Sequence, residues 1–177
     1  MILSVRQAFG LRISKELENS GDFGRIKPIS IHDRRVDMRV NIDKFTMKDY
    51  QKVIALWQSC EGIGLSSADS KNCIKAYLKR NSGMSFVASY KDEIIGAVLC
   101  GHDGRRGYLH HLAVHSDFRN QGIGRVLVEK CISALQSIGI QKCHLFIFTT
   151  NENACRFWEK IGWTRREDIG VISKQIQ

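Results

Sequence analysis

His110-His111-Leu112-Ala113-Val114-His115-Ser116-Asp117-Phe118-Arg119-Asn120-Gln121-Gly122-Ile123-Gly124-Arg125 sets an apolar strand ahead of a polar turn that opens straight into a helix. The turn reads Arg119-x-x-Gly122-x-Gly124. Such a turn points several backbone N–H groups at one spot, at the positive end of the helix dipole, and so forms a phosphate cradle. Gly122 and Gly124 let a ligand approach the backbone and let the helix pack tightly on the sheet. Two other phosphate folds fail on spacing. A Walker loop needs Lys-Ser/Thr after its glycines, and Gly124 is followed by Arg125-Val126. The dinucleotide pattern G-x-G-x-x-G does not fit either.

Working outward, Val40 to Phe45 alternates apolar and polar and reads as a strand. Thr46 and Asp49 suit a helix start, with Tyr50, Val53, Ile54 and Trp57 on one face. The loop Glu61 to Leu65 precedes a second helix that buries Ile74, Tyr77 and Leu78. Strands follow at Met84 to Tyr90, Ile94 to Cys100 and Tyr108 to Val114. The helix after the cradle is expected to bury Ile123, Leu127, Cys131, Ala134 and Ile138. Lys142 to Thr149 reads as a central strand because it is almost continuously apolar. A last helix holds Ala154, Phe157, Trp158 and Ile161, and one or two terminal strands are expected from Trp163. The fold class is α/β (an α+β layer), a mixed sheet with helices on both faces. The domain is expected over residues 38–177, with 1–37 an extension of no assigned role.

The bulk composition excludes several classes. At 177 residues the chain suits one domain with a real core. No apolar run reaches membrane-span length, and Met1 to Lys15 lacks the pattern of a signal peptide. Six cysteines, Cys60, Cys73, Cys100, Cys131, Cys143 and Cys155, form no C-x-x-C pair and no zinc spacing with histidine. They read as small buried hydrophobes in a reducing compartment, and no metal site is expected. The net charge of +9 suits an anionic ligand. The basic residues lack the dense runs and interleaved aromatics of a nucleic-acid module.

The Arg119–Gly124 turn resembles the acyl-CoA-binding signature of the GCN5-related N-acetyltransferases, the GNAT family. A second motif points the same way. Asn151-x-x-Ala154-x-x-Phe157-Trp158-Glu159-Lys160-x-Gly162-Trp163 is similar to the family's late Asn-x-x-Ala-x-x-Leu-Tyr-Glu-Lys-x-Gly-Phe. The element order fits the family over residues 38 to about 177.

The resemblance implies an acetyl-CoA-dependent N-acetyltransferase with a splayed notch between the fourth and fifth strands. The pantetheine arm would lie there against the backbone of Leu112, Ala113 and Val114, as an added strand. Asn120, Gln121, Gly122, Ile123, Gly124 and Arg125 would hold the pyrophosphate, with charge from Arg119 and Arg125. Asn151 matches a family asparagine near the pantetheine or the acetyl end, and it also reads as a helix cap. The N–H of Val114 matches the family's oxyanion donor.

The acetyl acceptor must lose a proton before it attacks. Strand alternation places Tyr108, His110 and Leu112 on one face and Leu109, His111 and Ala113 on the other. The first face matches the positions used for proton removal in some family members. His110 is therefore the expected base, and Tyr108 is a candidate substitute for the family's general-acid tyrosine. Trp158 stands where the family's usual general acid, a tyrosine, is found. An indole N–H donates a hydrogen bond but is no proton source near neutral pH. Trp158 is accordingly also a packing anchor beside the cofactor. The loop Glu61 to Asp69 and the segment after Trp163 would border the acceptor, with Glu61, Asp69, Glu167 and Asp168 available to a cation.

The expectation is direct attack of a primary amine on acetyl-CoA in a ternary complex, in the cytoplasm. The acceptor is either a small molecule or a protein amine. A homodimer is compatible with this reading, while a membrane or nucleic-acid partner is not expected. Two other readings stay open. One is a catalytically weak acyl-CoA-binding regulatory module. The other is a nucleic-acid or ribosome-associated protein that uses its positive charge.

Overall fold

The computed structural model describes residues 29–33 and 36–176, with side chains from Arg39 onward. Its elements in order are β1 (Ile29–Asp33), β2 (Val36–Lys44), α1 (Tyr50–Ser59), α2 (Lys71–Arg80), β3 (Phe86–Tyr90), β4 (Glu93–His102), β5 (Gly107–Val114), α3 (Ile123–Ser137), β6 (Cys143–Leu145) and α4 (Glu152–Lys160). Short 3-10 turns lie at Ser67–Asp69 and Ser116–Phe118. The six strands lie side by side in chain order. Every neighbouring pair is antiparallel except β5 and β6, which run parallel. The strand expected at Val40 begins at Val36 and forms a hairpin with β1.

Each face of the sheet has its own core. On one face α3 packs Ile123, Leu127, Val128, Cys131 and Leu135 against Val98, Cys100 and Leu109. On the other, α1 and α2 pack Val53, Leu56, Trp57 and Ile74 against Val87, Ala97, Leu99 and Ala113. Each fully buried aliphatic side chain contributes roughly 1.5–3 kcal/mol. Helices therefore cover both faces, as the apolar spacing predicts. Within α3 the buried stripe ends on Leu135; Ile138, expected inside, is the residue just past the helix and is exposed.

Two strand expectations differ from the structure. Lys142 to Thr149 is not a central strand. Only Cys143–Leu145 pairs, at the sheet edge, against Gly107, Tyr108 and Leu109. Phe146 and Phe148 beyond it are exposed. After Trp163 the described residues form no strand. Ile169, Val171 and Ile172 stand exposed there, and a β6 only three residues long offers little edge to pair with.

Both departures lead to the same place. Beyond Leu109, β5 has no partner on the β6 side. There β5 bulges: Leu99 faces His110 and Ala97 faces Ala113, so three steps on β5 oppose two on β4. His111 takes the extra position, with φ +52. A bulge bends its strand and ends regular pairing, which is why β6 parts from β5 here. The expected notch between the fourth and fifth strands, counted from Val40, is the opening between β5 and β6.

Candidate active site

The candidate cradle, the turn ahead of α3, is shaped by its main chain. Asn120 and Gly122 both adopt left-handed backbone, with φ +61 and +83. Gly122 caps α3, and the first bond inside the helix runs from the Val126 N–H to the Gly122 carbonyl at 3.1 Å. The N–H groups of Ile123 and Gly124 come before that bond and are left to the turn. A Cβ at Gly122 would meet nothing of the described protein within 4 Å, so the space beside the turn is open. At Gly124 the missing side chain makes room chiefly for the ring of Phe157 in α4, 3.3 Å from where a Cβ would stand. An open, left-handed turn at a helix N-terminus fits a pyrophosphate.

The side chains around the turn are committed elsewhere. Arg119 Nε donates to the Val114 carbonyl at 3.0 Å, tying the turn to the end of β5. Arg125 lies 3.6 Å from Glu129, one helical turn on. Gln121 Nε2 donates to the Asp117 carbonyl at 3.3 Å. Asn151 caps α4, its Oδ1 accepting from the Ala154 N–H at 3.0 Å. Its amide also lies against Gly62, and Phe148 lies against Gly64. The loop after α1 thus reaches across the notch to the chain beyond β6. Trp158 packs edge-on between Phe157 and Trp163, with centroids at 5.2 and 4.9 Å.

On the α1/α2 face the bulge overturns the expected alternation. Ahead of it, Leu109 packs on the α3 core while Tyr108 and His110 lie on the opposite face. Beyond it, Leu112 and Val114 join the α3 core and Ala113 the α1/α2 core. Leu112 therefore does not share a face with His110. His111 does: His110 meets Tyr77 of α2, and His111 meets Trp57 of α1. One extra residue in the left-handed region shifts the phase of all that follows.

The two histidines have different surroundings. His110 stacks on Tyr108 at 6.4 Å and meets Tyr77 edge-on at 6.1 Å. Burial, aided by neighbouring His111 and opposed by Asp69, holds its pKa below the ordinary imidazole value. Tyr108 donates its hydroxyl proton to Asp103 in the β4–β5 hairpin at 3.3 Å. Its hydroxyl is thus engaged at the far end of the strand from the notch. His111 Nε2 lies 2.8 Å from Asp69 Oδ1. Asp69 is only 8 % exposed. Its other oxygen accepts the Ser66 N–H at 2.8 Å in a capping box, and its carbonyl accepts the Tyr50 hydroxyl at 3.0 Å. Trp57 Nε1, buried beside His111, has no hydrogen-bond partner among the described residues.

The sequence names Asp69 only as an acid bordering the acceptor and available to a cation, and its alternation sets His111 on the face opposite His110. The Ser66-x-x-Asp69 spacing announces a cap. Nothing local announces that the second oxygen reaches a strand 42 residues further on. The exposed acids play no comparable part: Asp168 pairs with adjacent Arg166. The cysteines are free, and burial pushes the Cys143 thiol up to about 12. Cys73, against expectation, is exposed. The described residues hold no cluster suited to a metal ion and no helix long and apolar enough to cross a membrane.

Residues 50–163 match the model of the acetyltransferase (GNAT) family. The chain belongs to that family. An acetyltransferase of Pectobacterium atrosepticum is 32% identical over 133 residues, 75% of this chain and 94% of its own length. The PaiA N-acetyltransferase of Thermoplasma acidophilum, solved with coenzyme A, superposes with a TM-score of 0.66 at 18% identity. The match covers 75% of this chain and 94% of that one. Ard1 of Thermoplasma volcanium superposes at 0.63 and 20% identity, over 71% and 82% of the two chains. The chain is an acetyltransferase, and acetyl-CoA is its acetyl donor.

Proposed function

We propose that this acetyltransferase acts on a primary amine, which attacks the bound acetyl-CoA directly in a ternary complex. The observation that carries the reading is the bulge at His111. It opens the notch on one edge of β5 and presents two imidazoles on the adjoining face. An amine at that face meets groups able to take its proton before it attacks. The nitrogen acceptor also agrees with the N-acetyltransferase activity of the PaiA structure that shares this fold.

The main chain of Leu112, Ala113 and Val114 would pair with the pantetheine amides. The N–H groups of the Asn120–Arg125 turn would hold the pyrophosphate. The Val114 N–H would face the developing oxyanion, where a fixed donor is worth several kcal/mol. Holding both reactants in one notch supplies much of the remaining rate. Trp158 leaves no phenol to protonate the departing sulfur. A thiol's pKa of about 8.5 already makes the thiolate a fair leaving group.

Release of free CoA from acetyl-CoA, followed with a mixed panel of small amines and of peptides with free α-amines and lysines, tests the reading. Amine-dependent release with a matching acetylated product supports it. Tight acetyl-CoA binding with no release above hydrolysis for any amine would overturn it.

A further inference from the structure

We infer that His111, oriented by Asp69, is the group that takes the proton from the acceptor amine. The inference rests on the amine reading above and adds the atom that does the work. Sequence alternation nominates His110, but the geometry distinguishes the two rings. His110 lies between two tyrosine rings, and no described residue gives it a hydrogen bond that would fix its tautomer. His111 has one: Asp69 Oδ1 at 2.8 Å. A carboxylate only accepts, so the His111 proton sits on Nε2 and the lone pair on Nδ1.

Asp69 is itself fixed. Ser66 N–H holds its second oxygen, Tyr50 holds its carbonyl, and the residue is buried. The carboxylate therefore acts on the reaction through His111 and is a positioning residue. The strain points the same way. His111 is a non-glycine residue with positive φ, a strained conformation that persists where the surroundings impose it. Its side chain keeps 18% exposure, enough to be reached from outside.

The step balances as follows. The ammonium form of the acceptor gives one proton to His111 Nδ1, which becomes an imidazolium. The freed nitrogen pair forms the C–N bond to the thioester carbonyl carbon. The C–S bond breaks with its electron pair on sulfur, and the second nitrogen proton goes to that thiolate. The imidazolium then returns its proton to water. The other buried or half-buried ionisable groups on α1, α2 and β5 are Tyr50 at the start of α1, Cys60 just past its end, Tyr77 of α2, and Tyr108 and His110 on β5 itself; the remaining ionisable side chains of α1 and α2 are exposed.

Asp69→Asn separates positioning from packing. Ser66 N–H demands an acceptor at the capping position, so the amide oxygen stays there and the amide NH₂ faces His111. Nε2 must then accept, and the proton moves to Nδ1. The cap survives, but the lone pair is lost from the side that needs it. Loss of a general base costs about 10²–10⁴-fold. The kcat of Asp69→Asn, and of His111→Gln, should fall in that range while the KM for acetyl-CoA holds. The pH dependence of kcat should lose its acid limb in His111→Gln. In the unmodified enzyme, ¹⁵N NMR should show His111 protonated on Nε2, with the opposite tautomer in Asp69→Asn.

A folded Asp69→Asn or His111→Gln enzyme within a few-fold of full kcat would overturn the inference. So would an Nδ1-protonated His111 in the unmodified enzyme, a result that stands even if both variants fail to fold. An unmodified enzyme that acetylates no amine removes the amine reading and this inference together. An active one indifferent to Asp69 removes this inference alone.

Discussion

After Val114 the chain turns through two left-handed residues, Asn120 and Gly122, and offers backbone N–H groups to an open approach. Ahead of Val114 it turns through another, His111, and offers side chains instead. Both halves of the proposed site therefore hang on one strand and use the same backbone device for opposite ends. At the proposed cofactor end, Arg119 and Gln121 donate to the Val114 and Asp117 carbonyls and Arg125 lies beside Glu129, while the N–H groups of Ile123 and Gly124 precede the first bond inside α3. A diphosphate needs only donors, and a helix N-terminus supplies them whatever side chains surround it. At the acceptor end, proton transfer needs an ionisable group in one orientation. That takes a histidine, a buried acid and the cap that holds the acid.

If the cofactor end is main chain, it should be most sensitive to what is added there. Gly122→Glu puts a side chain at a φ of +83 and sends a carboxylate into the open approach. Left-handed backbone alone costs about 1–2 kcal/mol, and repulsion of the diphosphate adds to it. Acetyl-CoA affinity by calorimetry should fall by at least about 100-fold, or 2.7 kcal/mol. An affinity within a few-fold of the unmodified chain would mean the turn is not the cradle, and the contrast between the two ends would go with it.

A second comparison sits within the acceptor end. His110→Gln removes an imidazole but leaves the Asp69–His111 pair in place. Its kcat should fall by less than about tenfold, well short of what loss of a general base gives. If His110→Gln is instead the more damaging of the two glutamine variants, the plain alternation reading was right, and Asp69 serves only as a cap.

The same contrast explains what could be read from the chain. The open turn ahead of α3 was legible because such a turn needs glycines at fixed spacing, and Gly122 and Gly124 sit one residue apart in the motif. The two cores were legible from apolar periodicity, with Ile138 an overreach of one turn. The acceptor end was not. Alternation along β5 holds only while each step flips the side chain, and His111 breaks that rule with a backbone that nothing in the flanking residues announces. The apolar run Leu145 to Phe148 misled for a related reason. Its hydrophobicity suits a central strand, but the bulge on β5 removes the partner it would need.

Asn151 lies between the two ends and tests whether they are separate. Its Oδ1 caps α4 and its amide meets Gly62 of the loop across the notch. Losing such a cap costs about 1 kcal/mol. Asn151→Ala should therefore lower the unfolding free energy by about that amount in a denaturant titration, while Asn151→Ser, which keeps a capping oxygen, should recover most of it. Acetyl-CoA affinity should stay within about threefold in both, a change of less than 1 kcal/mol. A serine variant that is stable yet binds acetyl-CoA poorly would make Asn151 a ligand and join the cofactor end to the loop.

The smallest effect belongs to His110 and appears in stability. Burial holds its folded pKa below the ordinary imidazole value of about 6.5. Between the folded and unfolded values the unfolded chain binds more protons, so stability rises with pH there. His110 thus leaves the fold undisturbed above about pH 6.5 and costs stability as pH falls through the lower folded value. His110→Phe keeps the ring between Tyr77 and Tyr108 and removes the proton. The unmodified chain should lose melting temperature between about pH 7 and about pH 5 more steeply than His110→Phe. Parallel curves would mean that His110 takes up its proton as easily in the folded chain as in the unfolded one. The difference drawn here between a packed His110 and an oriented His111 would then have to rest on Asp69 alone.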